Sequence, residues 1–385
     1  MRPPARSIAH LDLDCFFVSV ERIRDASLEG KPVIVGGSPS GRGVVSSASY
    51  EARAFGVRSA MPTVRALRLC PSLILVSSHF ADYEEYSDRL YRRMLDFAPV
   101  IERASIDEMY MDFTGCESLY SNDLPGLMRS LQRLTWEELH LPSTIALASS
   151  KVVAKIAAAT VKPAGFCHVP DGTEAEFLAP LPVGALPGVG KKVEEILVQK
   201  GFRTIRDIQR SRPEELLRLL GRNGRWLYDA AAGRDSGSVS PDRTRKSISK
   251  ERTFREDITE RGKLEKILFS LAEDVCCSLR SEGLKAGTIT LKLRYADFRT
   301  LTRETSVDAT HDDTVVFRTV RDLFRRAYDR PLAVRLLGVG VSRFSEAREA
   351  ELPLFPTDAR REQMLDAVNA LRGRFGDDVI HVGGA

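Results

Sequence analysis

The stretch SIDEMYMDF, residues 105–113, constrains the fold more than any other. Met109, Met111 and Phe113 alternate with Tyr110 and Asp112, the period of a half-buried β-strand. Asp107 shares the parity of the apolar set, and a bare carboxylate on a core face is costly unless something pairs with it. A turn near Asp107 fits the entry to this strand. The segment HLDLDCFF, residues 10–17, repeats the problem, because Asp12 and Asp14 lie on one face at the end of the first strand. Asp14 has a local explanation as the N-cap of a helix that begins near Cys15. Asp12 has none. If the two strands are neighbours, Asp12, Asp107 and Glu108 converge and repel one another. Divalent cations relieve that repulsion, and magnesium prefers such oxygen ligands. Two magnesium ions roughly 3.5–4 Å apart are the usual device for in-line phosphoryl transfer. An Asp-Glu pair is also found solvated or salt-bridged, and the acids alone leave both readings open.

The rest of the chain predicts an α+β, multidomain protein. Its 385 residues exceed one small core and suggest two to four domains. KPVIVGG, SLILVSS and STIALASS read as strands. ADYEEYSDRLYRRMLDFAP reads as a helix with Tyr83, Tyr86, Leu90, Met94 and Phe97 near one face. A further helix is expected over roughly 123–140, and KVVAKIAAATV is a helix stopped by Pro163 and Gly165. Strands and helices mix without strict βαβ alternation, which favours α+β. From about 171 to 235 the pattern is short helices, and 234–247 is polar, basic and turn-rich, as an interdomain linker is. Beyond it the spacing predicts a helix near 260–282, the strand TITLKLRYADF, a helix near 312–328 and the strand AVRLLGVGVSRF.

Charge is unevenly spread. Residues 245–345 carry 21 basic and 15 acidic side chains, whereas residues 1–170 carry 19 of each. This excess suits contact with a polyanion, or else a merely solvated basic surface. Six cysteines form no C-x-x-C pair and read as reduced thiols. The N-terminus lacks the apolar run of a signal peptide, and no segment reaches the ~18 apolar residues of a membrane span. A cytoplasmic protein without membrane contact is expected.

Four motifs in order, LDLDCFFVSVE, SSASYEARAFGVRSAMP, SIDEMYMDFTG and SSKVVAKIAAATVKPAG, resemble the Y-family translesion DNA polymerases, and within them the DNA polymerase IV branch. The resemblance extends over about residues 7–345 and into the tail. It implies a ferredoxin-like palm (1–23 and 80–170) with small inserted fingers (24–79), and a helix-hairpin-helix thumb (171–235). A linker (236–247), a DNA-binding little finger (248–345) and a tail (346–385) follow.

The resemblance also implies roles for particular residues. Asp12, Asp107 and Glu108, with the Leu13 carbonyl, would hold two magnesium ions. Phe17 stands at the steric-gate position that crowds a ribose 2′-hydroxyl; on the residues alone core packing is the better reading. Tyr50, Arg53 and Lys162 would contact the triphosphate, Ser47 would add a hydroxyl, and the N–H groups of Cys15 and Phe16 lie at a helix start suited to phosphate. Gly188 and Gly190, in LPGVGKKVEEIL, would let backbone N–H groups approach a DNA phosphate. EAELPLF (349–355) matches a sliding-clamp motif anchored by Leu352, Leu354 and Phe355, although thirty residues follow it here and a tail folded on its own domain is the alternative. Among those residues Met364, Leu365, Val368 and Leu371 share one face of an amphipathic helix.

The implied function is error-prone, template-directed DNA synthesis by a monomer acting on primer-template DNA and deoxynucleoside triphosphates. Short fingers would check geometry loosely, and no segment resembles a proofreading exonuclease. The competing readings are a catalytically dead DNA- and clamp-binding scaffold and a nucleotidyl cyclase. The intact carboxylates argue against the first and the thumb and basic domain against the second.

Overall fold

In a computed structural model, residues 6–241, 244–329 and 332–346 are described, together with the helical positions 364, 367, 368, 371 and 374. The chain divides into two compact units, Met1–Arg243 and Thr244–Ala385.

The first unit opens with β1 (Ile8–Leu13), buried along its whole length, and α1 (Phe16–Arg24). Next come β2 (Val33–Gly36), β3 (Val45–Ala48), α2 (Tyr50–Ala54), α3 (Thr63–Leu69) and β4 (Ile74–Val76). These strands form their own sheet in the order β3-β2-β4. Ser49 caps α2 by accepting from the Ala52 N–H at 3.2 Å. After α4 (Phe80–Met94) the chain returns through β5 (Val100–Arg103), β6 (Glu108–Asp112), α5 (Leu124–Leu139), β7 (Ser143–Ala148), α6 (Lys151–Thr160) and β8 (Phe166–His168). A five-stranded sheet results, ordered β5-β6-β1-β7-β8. β1 thus lies between β6 and β7, antiparallel to both, with Asp12 directly opposite Glu108. Helices α7 (Glu174–Leu178), α8 (Lys191–Gln199), α9 (Ile205–Arg210), α10 (Pro213–Leu220) and α11 (Arg222–Ala231) complete this unit.

The strand through SIDEMYMDF differs from its expected half-burial. Tyr110 is buried as Met109 and Met111 are. Its ring meets His10 at 4.8 Å between centroids, and the Lys151 ammonium lies 4.8 Å from its centroid. Both faces of β6 are covered, so the alternation in residue type is not an alternation in exposure. Asp107 precedes the strand and is half-buried in the turn, where it accepts from the Ser105 hydroxyl. The turn, not a core face, carries its charge.

The second unit is built from β9 (Ser247–Ile258), α12 (Arg261–Ser281), β10 (Leu284–Tyr295), β11 (Thr300–Thr310), α13 (Asp313–Ala327) and β12 (Val334–Glu346). Its antiparallel sheet runs β11-β10-β12-β9. Leu268, Leu271 and Val275 of α12 and Val320 and Phe324 of α13 bury against the central strands. All six cysteines are free thiols. Among the described residues no helix is long and apolar enough to cross a membrane.

Candidate active site

The register of β1 against β6 builds the site. Asp12 and Glu108 face each other across the ladder, and the Leu13 N–H donates to the Asp107 carbonyl at 2.9 Å. That bond fastens the turn carrying Asp107 to the end of β1, so the adjacent pair Asp107 and Glu108 comes to the same end of the central strands as Asp12, which is distant in sequence. Two lysines answer them. Lys162, just beyond α6, hydrogen-bonds to Asp12, and Lys155, on α6, to Glu108. Burial pushes the Asp12 carboxyl up to about 7; Lys162 opposes the rise, and the charges of Glu108 and Asp107 add to it. His10, whose Nε2 is 3.9 Å from Glu108 Oε2, and Lys155 together hold the Glu108 carboxyl well below its usual range. At 3.9 Å the His10–Glu108 pair is an electrostatic contact and not a hydrogen bond. The carboxylate oxygens of Asp12, Asp107 and Glu108 and the neighbouring Leu13 carbonyl are donors of the kind a hard dication takes.

A cleft of about 190 Å³ opens beside these acids. Of the eleven residues expected at the metal and nucleotide positions, ten line it: Asp12, Leu13, Cys15, Phe16, Phe17, Ser47, Arg53, Asp107, Glu108 and Lys162. Ser46 and Ser59 line it as well. Tyr50 stands just behind. The Arg53 guanidinium lies over the Tyr50 ring, 4.9 Å from its centroid, and Arg53 Nε donates to the Ala48 carbonyl at 3.0 Å. This leaves the terminal nitrogens of Arg53 oriented by two contacts. Cys15 adopts a left-handed φ of 48° as the N-cap of α1 and makes no side-chain cap. The first N–H groups of such a helix have no intrahelical partner and suit an anion. Burial pushes the Cys15 thiol up to about 11, which makes it inert at neutral pH.

Asp14 corrects the expectation of an N-cap. It is 1% exposed and accepts from the Tyr50 hydroxyl (3.0 Å), the Thr144 hydroxyl (2.8 Å) and the Ala164 N–H (2.8 Å). It therefore ties α2, β7 and the loop beyond α6 to the start of α1. Tyr50 is an acceptor-bound hydroxyl in this arrangement, and burial and the Asp14 charge push its phenol up.

Phe17 presents a half-buried ring stacked on Tyr83, with centroids 4.4 Å apart and planes 12° from parallel. Phe80 meets the same ring edge-on at 6.2 Å. Tyr83 is itself fully buried, and its hydroxyl donates to Glu21. The two aromatic contacts hold the Phe17 ring in this orientation.

The impB/mucB/samB family profile matches residues 11–159, and the profile of that family's C-terminal domain matches residues 245–354. The DNA polymerase IV of Dehalococcoides mccartyi (strain ATCC BAA-2266 / KCTC 15142 / 195) is 40% identical over 381 residues, covering 98% of this chain and 97% of the relative. That of Caulobacter vibrioides is 39% identical, covering 98% and 94%. A solved structure, the Y-family DNA polymerase chimera Dbh-Dpo4(243-245)-Dbh, aligns with a TM-score of 0.80 at 25% identity over 88% of this chain and 98% of its own. The chain belongs to the Y-family DNA polymerases, in the DNA polymerase IV branch.

Gly188 and Gly190 are not among the residues lining the cleft. Gly188 has a φ of +82°, which a side chain would disfavour, and Gly190 is the N-cap of α8, where an added Cβ would meet open space. Both suit a close backbone approach. Leu352, Leu354 and Phe355 lie outside the described residues, as does Leu365. Of their neighbours, Val368 is buried and Met364 and Leu371 are exposed. Sequence reasoning missed Lys155, Tyr83, His10 and the role of Asp14. The signal for Lys155 was present: it lies seven residues before Lys162 in the same motif, on the helix that follows β7.

Proposed function

We propose that this chain performs error-prone, template-directed translesion DNA synthesis with a two-magnesium mechanism. Membership in the family makes it a DNA-directed DNA polymerase. The observation that carries the finer reading is the convergence of Asp12, Asp107 and Glu108 on the same cleft as Phe17, Arg53 and Lys162.

Asp12, Asp107, Glu108 and the Leu13 carbonyl would hold the ions. When bound, they supply positive charge to the triphosphate and lower the pKa of the primer 3′-hydroxyl. The chain's own groups do the rest. Lys162 and Arg53 carry positive charge to the phosphates, and the N–H groups at the start of α1 receive phosphate oxygens. Ser47 adds a hydroxyl to the cleft wall. Phe17, held by Tyr83, leaves no room for a 2′-hydroxyl, so deoxynucleotides are selected.

The central strands β6, β1 and β7 with α5 and α6 form a ferredoxin-like palm. Residues 24–79 form fingers with their own small sheet, 171–235 a thumb and 248–345 a little finger. Gly188 and Gly190 offer N–H groups to the DNA backbone. The sliding clamp is taken up through Leu352, Leu354 and Phe355 of the tail, and the polymerase works as a cytoplasmic monomer without proofreading. Only small fingers surround the nascent pair, which makes geometric checking loose.

The test is primer extension with magnesium and each deoxynucleotide, compared with ATP. Template-directed incorporation by the wild type, lost in Asp107→Ala while DNA binding persists, is expected. Phe17→Ala should gain ribonucleotide incorporation. No incorporation by wild-type protein that binds DNA overturns the reading.

A further inference from the structure

His10 has no use in the polymerase mechanism, and its position in the fold invites one. It is 1% exposed, and neither ring nitrogen has a hydrogen-bond partner. It lies on the same face of β1 as Asp12, two residues earlier, and sits opposite Tyr110 as Asp12 sits opposite Glu108. One nitrogen of His10 and one oxygen each from Asp12 and Glu108 lie within 4.8 Å of one another. Among the described residues no other three His, Cys, Asp or Glu side chains gather this closely.

The imidazole nitrogen offers magnesium little, because that ion takes oxygen ligands and keeps much of its water. It offers more to zinc, cobalt, nickel or copper, for which imidazole nitrogen is a favoured donor. We propose that His10, Asp12 and Glu108 form a mixed nitrogen–oxygen site selective for borderline divalent cations, zinc foremost. The site shares two carboxylates with the magnesium site, so its occupancy inhibits synthesis. The inhibitory half of this inference rests on the function proposed above; the binding half does not.

Binding an ion would draw the donor atoms closer together. Ligand bonds of about 2.0–2.2 Å in a tetrahedral site place donor atoms roughly 3.4 Å apart. The donor atoms lie within 4.8 Å of one another, and an ion would draw the two carboxylates together and away from Lys155 and Lys162. A fourth position is left to water. The imidazole is the one donor that zinc values far more than magnesium does, so its removal discriminates between the ions.

The experiment uses the full chain without DNA or nucleotide. Zinc affinity is measured by competition with a metal-binding chromophore, and manganese affinity by electron paramagnetic resonance. His10→Gln keeps size and polarity but removes the nitrogen donor. It should weaken zinc at least tenfold and manganese less than threefold. Pulsed paramagnetic resonance of copper-loaded wild type should show coupling to an imidazole nitrogen that His10→Gln lacks. Equal zinc affinity in the two proteins overturns the proposal. So does absence of nitrogen coupling in the wild type, a readout that holds even if the variant fails to fold. In primer extension with magnesium, the zinc concentration that halves each protein's own zinc-free rate should rise at least tenfold in His10→Gln. An unchanged value overturns the inhibitory half. Wild-type extension without zinc reports separately on the proposed function.

Discussion

Replacing Asp14 by alanine removes three hydrogen bonds that converge on one buried carboxylate, from Tyr50, Thr144 and Ala164. A hydrogen bond to a charged group contributes about 1.5–3 kcal/mol. Taking the low end for each, since the variant no longer buries a charge, the loss comes to about 4–5 kcal/mol. Loss of an N-cap alone would cost about 1 kcal/mol. Both tryptophans, Trp136 and Trp226, lie before Arg243, so intrinsic emission during urea unfolding reports on the first unit. The variant should also raise the KM for nucleotide. Asp14 holds Tyr50 beneath Arg53, and it holds Ala164 two residues from Lys162. A destabilisation below about 2 kcal/mol with an unchanged nucleotide KM would refute the view of Asp14 as the anchor of three elements.

Other outcomes follow from single contacts. In the second unit Arg280 and Asp313 form an ion pair at 3.1 Å with side chains 2% and 1% exposed. Asp313→Ala strands the guanidinium and should cost about 3–5 kcal/mol, read as loss of amide-exchange protection across 261–346; Arg280→Met with Asp313→Leu should recover much of it. Tyr83→Ala removes the ring stacked on Phe17 and should lower discrimination between dATP and ATP in single-nucleotide extension, with the DNA Kd unchanged. The Asp207 carboxyl is held below its ordinary value by the N–H groups of Thr204 and Arg203 and by the Thr204 hydroxyl. Its folded pKa is depressed, so its contribution is complete above the unfolded value of about 3.9 and is lost as pH falls through the folded one. As pH falls from 6 to 3, the urea midpoint should drop less steeply for Asp207→Asn than for wild type.

β1 and β7 were legible in the sequence, because Ile8–Leu13 and Ser143–Ala148 are short, mostly apolar runs bounded by turn or cap residues. β9 and β11 were not. They are the edge strands of their sheet, mostly exposed and rich in charged and polar residues, so no apolar period marks them. The carboxylates stood out because they interrupt apolar runs. Their partners did not, since a lysine on a helix looks the same whether it faces water or Glu108. Asp14 misled for a related reason. A cap is a local preference, whereas its three donors come from 36, 130 and 150 residues away.

The proposed mechanism requires Asp12, Asp107 and Glu108 to hold a pair of dications jointly. Counting manganese ions by paramagnetic resonance tests this most directly, in a complex with primer-template and a non-hydrolysable deoxynucleotide. Two tightly held ions per wild-type chain, with at least one lost in Asp107→Ala, is the expected result. One ion or none in the wild type, or the same two in the variant, would contradict it.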